Sequence, residues 1–212
     1  HTRALPPAAA PWLAPGLRNP SAENMLSTAL LSAGAVDGWR LVGGDGARAG
    51  AYNFPANNQA DAAALFDPAA SLGNQCAFFI GARDGNTPAT FGQVTDLPVY
   101  PGARYRLRAR VADRRLADAA HAPTYRIELL AGGVVLATAR EGVDGAPALA
   151  RGPVGAPAWT EVELSFDTAA GLPAGVLPGA PIEVRFGNPI ADSTGGTLVQ
   201  TLCDQFRLAL EA

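Results

Sequence analysis

The 212-residue chain contains no lysine, only two cysteines and only two histidines. Its 16 basic residues are therefore all arginines, scattered along the chain, and the net charge is -3. Because no net positive field supports binding to nucleic acid, we expect no nucleic-acid partner. No apolar run approaches the ~20 residues that a membrane helix needs, so we expect no membrane span.

The scarcity of cysteine and histidine limits the chemistry that the chain can carry. Cys76 and Cys203 lack the CxxC spacing of zinc or redox sites. They could form one disulfide in an oxidising compartment or remain two buried thiols. No catalytic triad is visible, because the only histidines are His1 and His121. His121 would have to carry any acid–base role that needs an imidazole, although a loop histidine is the simpler interpretation.

The composition is that of a globular, turn-rich protein. Hydrophobic residues make up 48% and charged residues 17%, with 24 glycines and 18 prolines spread along the chain. Residues 1–16 form a Pro/Ala-rich segment without periodicity, which we interpret as an N-terminal arm. We expect residues 17–212 to form one domain, since 212 residues can bury a sizeable core and no linker divides the middle.

Segments of strict polar–apolar alternation predict an antiparallel β-fold. The clearest are 104–112, 125–129, 161–166 and 182–186, and Ala131-Gly-Gly133 predicts a hairpin turn. The last segment, 201–210, places Leu202, Asp204, Phe206, Leu208 and Leu210 on one face if it is a regular strand. Short amphipathic strands of this kind predict an all-β, two-sheet antiparallel sandwich, a jelly roll, with at most short helical turns.

Candidate ligand-binding residues are few, because aromatic residues make up only 7% of the chain. Tyr52-Asn-Phe54, followed by Asn57, combines aromatic rings with amides, which suits the hydroxyl groups of a sugar. Tyr100 is a further possible binding aromatic, and His121 lies in a segment that is long for a hairpin connection. Isolated loop carboxylates, Asp96 and Asp113 among them, are interpreted as turn residues.

Three segments together resemble a known family. They are Asn19-Pro-Ser-Ala-Glu23; Tyr100-Pro-Gly-Ala-Arg-Tyr105 with the alternating strand that follows; and Trp159-Thr-Glu-Val-Glu-Leu164, leading to Asp204-Gln-Phe-Arg-Leu208. Their order resembles the calcium-binding jelly-roll domains of bacterial exoproteins and of carbohydrate-binding modules. It is especially similar to the calcium-dependent Stig cyclases. The motifs are loose, so they specify a fold better than an activity.

The resemblance implies a structural calcium ion bound by Glu23 and Asp204, with carbonyl groups near Asn19 completing the site. Calcium takes 6–8 oxygen ligands, and carbonyl oxygens can fill the coordination positions that two carboxylates do not occupy. Asp204 would share the buried face of Phe206 and Leu208, where an unpaired carboxylate is costly. The alternative is that Glu23 and Asp204 carry surface charge or pair with arginines.

The resemblance leaves three functions open. We expect a calcium-stabilised, secreted or periplasmic module that binds a glycan without catalysis. A Stig-cyclase-like enzyme acting on a small apolar substrate is the first alternative, and a structural exoprotein module is the second. The cyclases carry a catalytic acid near the closing strand, and Leu202 stands close to that position here. The missing proton donor weakens the enzyme interpretation without eliminating it.

Overall fold

The computed structural model describes residues 17–18, 31–33, 36–44, 49–53, 75–80, 87–114, 124–143, 145–150, 158–189 and 200–211. The predicted arm and a short helical turn expected over 61–66 lie outside these ranges. A second helical turn, expected over 24–31, lies outside them except for Leu31, which begins a strand. Among the described residues, no helical segment has the length and hydropathy that crossing a bilayer requires.

Eleven strands are formed by the described residues. They are β1 (Leu31–Ala33), β2 (Arg40–Gly43), β3 (Ala49–Asn53), β4 (Gln75–Ile80), β5 (Thr90–Pro98), β6 (Arg104–Arg114), β7 (Arg126–Ala131), β8 (Val134–Arg140), β9 (Trp159–Asp167), β10 (Pro181–Gly187) and β11 (Gln200–Glu211).

The strands form two antiparallel sheets, which confirms the predicted all-β jelly-roll sandwich. The six-stranded sheet has the order β1-β3-β4-β11-β6-β9, and the five-stranded sheet has the order β2-β5-β10-β7-β8. The alternating segments singled out in the sequence lie in strands, except that Tyr125 of segment 125–129 precedes β7. The β7–β8 hairpin turns at Gly132 and Gly133. Both glycines have positive φ angles, 58° and 82°, which suits the tight turn between paired strands.

The core between the sheets is centred on Phe186 of β10, which is 1% exposed. Its ring lies 4.7 Å from Trp39, 4.8 Å from Phe79 and 4.5 Å from Phe206, measured between ring centroids. Phe79 belongs to the six-stranded sheet and Phe186 to the five-stranded sheet, so these rings join the two layers. Trp39 is 7% exposed and packs within this group of rings.

The closing strand β11 departs from the predicted regular alternation. Asp204 pairs with Arg110, but the next register pair is Arg207 with Arg108, so two residues of β11 stand opposite one of β6. Gln205 within this bulge has φ 53°, the left-handed conformation that a bulge of this kind requires. The expectation that Asp204 shares a face with Phe206 and Leu208 was therefore wrong, because the extra residue turns the later side chains to the opposite face.

Five connections between consecutive strands meet one end of the sandwich, which we call the upper end. The strands that precede and follow the connections 44–48, 81–89, 115–125, 141–158 and 188–199 all meet this end. The lower end carries the connections 54–74, 99–103, 132–133 and 168–180, and 54–74 is the longest connection between consecutive strands. Both ends thus carry long connections, where binding residues commonly collect.

The lower end is fixed by Thr168, whose side chain is fully buried. Its Oγ1 accepts a hydrogen bond from the backbone N of Ala103 at 2.7 Å and lies 2.7 Å from the carbonyl oxygen of Tyr100, to which it can donate. Beside it, the hydroxyl of Tyr105 accepts from the backbone N of Tyr100 at 2.8 Å. Burial raises the pKa of Tyr105 more than this backbone hydrogen bond lowers it, so the phenol stays protonated.

Candidate functional site

The outer face of the five-stranded sheet carries a row of charged side chains around one glycine. Register pairing places Arg40 of β2 beside Gly92 of β5, Gly92 beside Arg185 of β10, and Arg185 beside Glu128 of β7. Alternation explains why these residues share a face, since the intervening residues, Phe91 among them, point into the core.

Glu183, one register row away on β10, joins the two arginines into what we call the ion-pair cluster: Arg40, Glu183 and Arg185. Arg185 holds the carboxylate with two contacts, Nε to Oε1 at 2.9 Å and Nη2 to Oε2 at 3.1 Å. Arg40 Nη2 donates to the same Oε1 at 3.1 Å. Three charge-assisted hydrogen bonds on one carboxylate give a rigid, planar arrangement.

The arginines keep Glu183 ionised. Burial is the largest single effect and opposes ionisation, but the hydrogen bonds and charges of Arg185 and Arg40 together outweigh it. They hold the pKa of the Glu183 carboxyl below its usual value of 4.5. The same hydrogen bonds raise the pKa of Arg185. The cluster is therefore fully charged at neutral pH.

Gly92 is required where the Glu183 side chain crosses β5. A Cβ atom at position 92 would lie 2.8 Å from Glu183 Oε1 and 2.9 Å from Val42 Cγ1. Any larger residue would push the carboxylate away from its arginines, so the glycine and the ion-pair cluster form one structural unit.

Two concavities lie on either side of the ion-pair cluster. The upper concavity, about 360 Å³, is lined by Val42, Gly43, Thr87, Pro88, Thr90, Arg126, Glu128, Arg185 and Pro189. The lower concavity, about 500 Å³, is lined by Arg18, Gly38, Trp39, Arg40, Gly92, Gln93, Val94 and Asp96. Both are open to solvent, and each is lined by three charged side chains together with uncharged residues.

The wall of the lower concavity is held by Gln93, which is 4% exposed. Its Oε1 accepts from the backbone N of Arg18 at 2.6 Å, and its Nε2 donates to the carbonyl oxygens of Arg18 at 2.9 Å and Gly38 at 2.6 Å. The side chain thus ties the segment before β2 to the chain near its start. This fixes the position of Arg18 beside the cluster.

The ligand-binding residues proposed from the sequence do not assemble on this face. Tyr100 lies in the turn after β5 at the lower end, and Tyr52 lies in β3 of the other sheet, opposite Cys76. Phe54, Asn57 and His121 lie outside the described residues. Asp96 and Asp113, expected in turns, are in β5 and β6, and Asp113 is 3% exposed and pairs with Thr201.

Of the three predicted metal ligands, the described residues include only Asp204; Asn19 and Glu23 lie outside them. Asp204 is 1% exposed, and its Oδ1 accepts from the backbone N of Gln205 at 2.7 Å. Gln205 is 8% exposed, and its Nε2 has no hydrogen-bond partner in the described part of the chain. Within those same ranges, no three His, Cys, Asp or Glu side chains come together as a metal site.

Cys76 and Cys203 are both buried and form no disulfide with each other. Cys203 pairs in register with Ala77, the neighbour of Cys76, so the two thiols point to opposite faces of the sheet. Burial, with a smaller contribution from the charge of Asp204, raises the pKa of the Cys203 thiol. This thiol is therefore protonated and not a nucleophile at neutral pH.

The arginine side chains of β6 lie on the outer face of the six-stranded sheet, as the alternation of this strand predicts. Arg106 and Arg108 both pair with Glu163 of β9, at 3.4 and 2.7 Å. Arg106 also pairs with Glu211 of β11 at 3.0 Å. Carboxylates on both neighbouring strands thus balance this row of arginines.

A family profile described as HpiC1 cyclase matches residues 14–209. The chain belongs to the HpiC1-like family. The resemblance to the Stig cyclases is thereby confirmed at the level of the family. No curated protein sequence matches this HpiC1-like chain.

Solved structures share the architecture of this HpiC1-like chain at low sequence identity. An arabinose-bound α-L-arabinofuranosidase, MgGH51, aligns over 94% of the chain at 14% identity with a TM-score of 0.53. The chain spans 27% of the length of that enzyme. The CBM22-1 xylan-binding domain of Paenibacillus barcinonensis Xyn10C aligns over 93% of this chain and 96% of its own length, at 14% identity and a TM-score of 0.44. At such identity, the arabinofuranosidase match concerns the fold alone.

Sequence reasoning missed the ion-pair cluster as a site. The alternation of Ile182-Glu-Val-Arg-Phe186 does place Glu183 and Arg185 on one face. What the sequence does not contain is the register that brings Arg40 and Gly92 beside them. Those residues are 90 or more positions away, and only strand pairing joins them.

Proposed function

We propose that this HpiC1-like chain is a non-catalytic module that binds a glycan across the outer face of its five-stranded sheet. The observation that carries the proposal is the pair of concavities, of about 360 and 500 Å³, joined at the rigid ion-pair cluster. The arabinofuranosidase of similar fold is described as arabinose-bound, which is consistent with a sugar ligand.

The chemistry of the face suits a hydroxylated ligand. Sugar hydroxyl groups both donate and accept, and the face offers guanidinium donors from Arg40 and Arg185 beside carboxylate acceptors from Glu128 and Asp96. The charged groups of the cluster are held by each other, so little side-chain entropy is lost when a ligand contacts them. The shallow, open shape suits a chain that passes across the face.

Affinity electrophoresis in gels that contain soluble polysaccharides tests the proposal. The variant Val94→Glu places a carboxylate in the lower concavity, at a position that is 49% exposed. The matched control is Val135→Glu on β8 of the same sheet, 47% exposed and outside both concavities. We expect Val94→Glu, but not the control, to lose retardation. No retardation of the native protein by any polysaccharide would overturn the proposal.

We further propose that the module works outside the cytoplasm and is stabilised by calcium held by Glu23, Asp204 and carbonyls near Asn19. Two features around the β11 bulge suit calcium, an ion that prefers oxygen ligands. Asp204 is a buried carboxylate, and a 180° rotation of the unpartnered Gln205 amide would present Oε1 where Nε2 now lies. A bound ion would tie the start of the chain to its last strand.

Thermal melts with chelator and with added calcium test this part. Because the ion would bind only the folded state, calcium must raise the melting temperature of the native protein and leave Asp204→Asn unchanged. A melting temperature that is indifferent to calcium contradicts the proposed metal.

Membership of a family described as HpiC1 cyclase supports a second candidate function, the cyclisation of an apolar substrate. Asp204 lies on the same face of β11 as Leu202, the residue close to the position of the cyclases' acid. Leu202 and its register partner Ala112 are fully buried, whereas the register partner of Asp204 itself is Arg110. This candidate predicts a native apolar pocket that takes up a neutral dye such as Nile red. A native protein that leaves the dye's emission unchanged contradicts it.

A further inference from the structure

We infer that the glycan recognised by the five-stranded sheet carries carboxylate groups, as a uronic acid unit does, and that Arg40 binds the carboxylate. This inference rests on the proposed function and names its ligand class. The inference is drawn from the net charge of the ion-pair cluster and from the different solvent exposures of its three side chains.

The cluster has one positive charge more than it has negative charges. Glu183 is satisfied by Arg185 alone, since Nε and Nη2 of Arg185 contact its two oxygens at 2.9 and 3.1 Å. Arg40 adds a single contact, from Nη2 to Oε1, at 3.1 Å. Arg40 therefore brings a second guanidinium to a carboxylate that Arg185 already pairs. The excess positive charge of the cluster is thus on Arg40.

The exposures of the three side chains place the positive charge on the surface. The side chain of Glu183 is 10% exposed, that of Arg185 is 30% exposed and that of Arg40 is 62% exposed. The carboxylate is thus the floor of the cluster, while Arg40 presents its remaining N–H groups to solvent. A ligand that approaches this face meets a cation, although the chain as a whole carries a net charge of -3.

The other charged groups along the two concavities do not cancel this excess. In the upper concavity Arg126 and Glu128 form a pair at 3.6 Å, which contributes no net charge. In the lower concavity Arg18 and Asp96 have opposite charges. Arg40 therefore remains the unbalanced charge of the face.

A ligand carboxylate would contact the solvent-facing side of the Arg40 guanidinium. The space above Gly92, between Arg40 and Arg185, is taken by Glu183, since a Cβ atom at position 92 would lie 2.8 Å from Glu183 Oε1. A planar guanidinium with free N–H groups binds a carboxylate with two parallel hydrogen bonds, whereas a neutral sugar offers only hydroxyl groups. The geometry therefore favours an acidic sugar unit at the point where the glycan passes Arg40.

Pairs of polysaccharides that share a backbone and differ in carboxylates provide the test. Polygalacturonate is compared with its methyl ester, and glucuronoxylan with unsubstituted xylan, by affinity electrophoresis and calorimetry. The variant is Arg40→Gln, and the matched control is Arg207→Gln, an exposed arginine on the outer face of the other sheet. Circular dichroism confirms that both variants keep the fold.

We expect the native protein to bind the acidic member of at least one pair at least about tenfold more tightly than its neutral counterpart, as one charge-assisted contact implies. Arg40→Gln should remove that preference and Arg207→Gln should keep it, and rising salt should weaken only the acidic binding. Equal binding of the acidic and the neutral member in both pairs overturns this inference and leaves the proposed function standing. Binding of none of the four polymers overturns both. An acidic preference that survives Arg40→Gln overturns the role of Arg40.

Discussion

Replacing Glu183 by glutamine should destabilise the protein out of proportion to the size of the change. Glu183→Gln keeps the shape of the side chain but removes the charge that Arg40 and Arg185 share. Breaking a buried pair from one side costs about 3–5 kcal/mol, because the partner charge is left uncompensated. The arginine side chains are 62% and 30% exposed, so water recovers part of that cost. We therefore expect a loss of about 2 kcal/mol, and a melting temperature lower by roughly 4–8 °C for a chain of this length.

Denaturant unfolding at pH 7, followed by tryptophan fluorescence, measures the loss, since Trp39 is buried next to this sheet. The control is Glu161→Gln on the other sheet, a side chain that is 56% exposed and whose ion pair with Arg108 is 3.6 Å long. Exposed pairs contribute about 0–1 kcal/mol, so the control should stay close to the native protein. If Glu183→Gln and Glu161→Gln lower the unfolding free energy by the same amount, our reasoning about the cluster is refuted.

Three further predictions follow from the described contacts. Because the pKa of Glu183 is lowered in the folded state, its stabilising effect is present above pH 4.5 and is lost as the pH falls through the lowered value. The stability difference between the native protein and Glu183→Gln should therefore shrink below pH 4.5 in denaturant titrations, and a difference that is constant down to pH 2 would contradict this. Phe186→Ala removes the ring that joins the two sheets and should cost about 3–5 kcal/mol of unfolding free energy, whereas a loss below 1 kcal/mol would show that the aromatic cluster is not the centre of the core. Thr168→Val leaves the backbone N of Ala103 without its partner and should cost about 1–3 kcal/mol; an unchanged denaturation midpoint would show that the corner does not depend on this hydroxyl.

Strand positions were predictable from the sequence because alternation reports directly on burial. Segments such as 161–166 and 182–186 have one apolar face, and only a half-buried strand makes use of that pattern. The same rule failed at Asp204, because a single extra residue at Gln205 inverts the faces that follow and leaves no clear mark in composition.

The candidate site was less predictable, since it depends on register between distant strands. Arg40, Gly92 and Arg185 are separated by 52 and 93 positions, and each alone is an ordinary strand residue. Only pairing of β2, β5 and β10 brings them into one row. The predicted aromatic candidates followed residue type instead, and Tyr52 and Tyr100 lie on other parts of the sandwich.

The central claim is that the ligand lies on the outer face of the five-stranded sheet, across the ion-pair cluster. Backbone-amide chemical shifts of the native protein, recorded by NMR while a retained oligosaccharide is titrated in, test this most directly. We expect the largest shift changes at Arg40, Gly92, Val94 and Arg185, with little change along β6 and β9. Changes concentrated on β6 and β9, or at the turn around Tyr100, would contradict it.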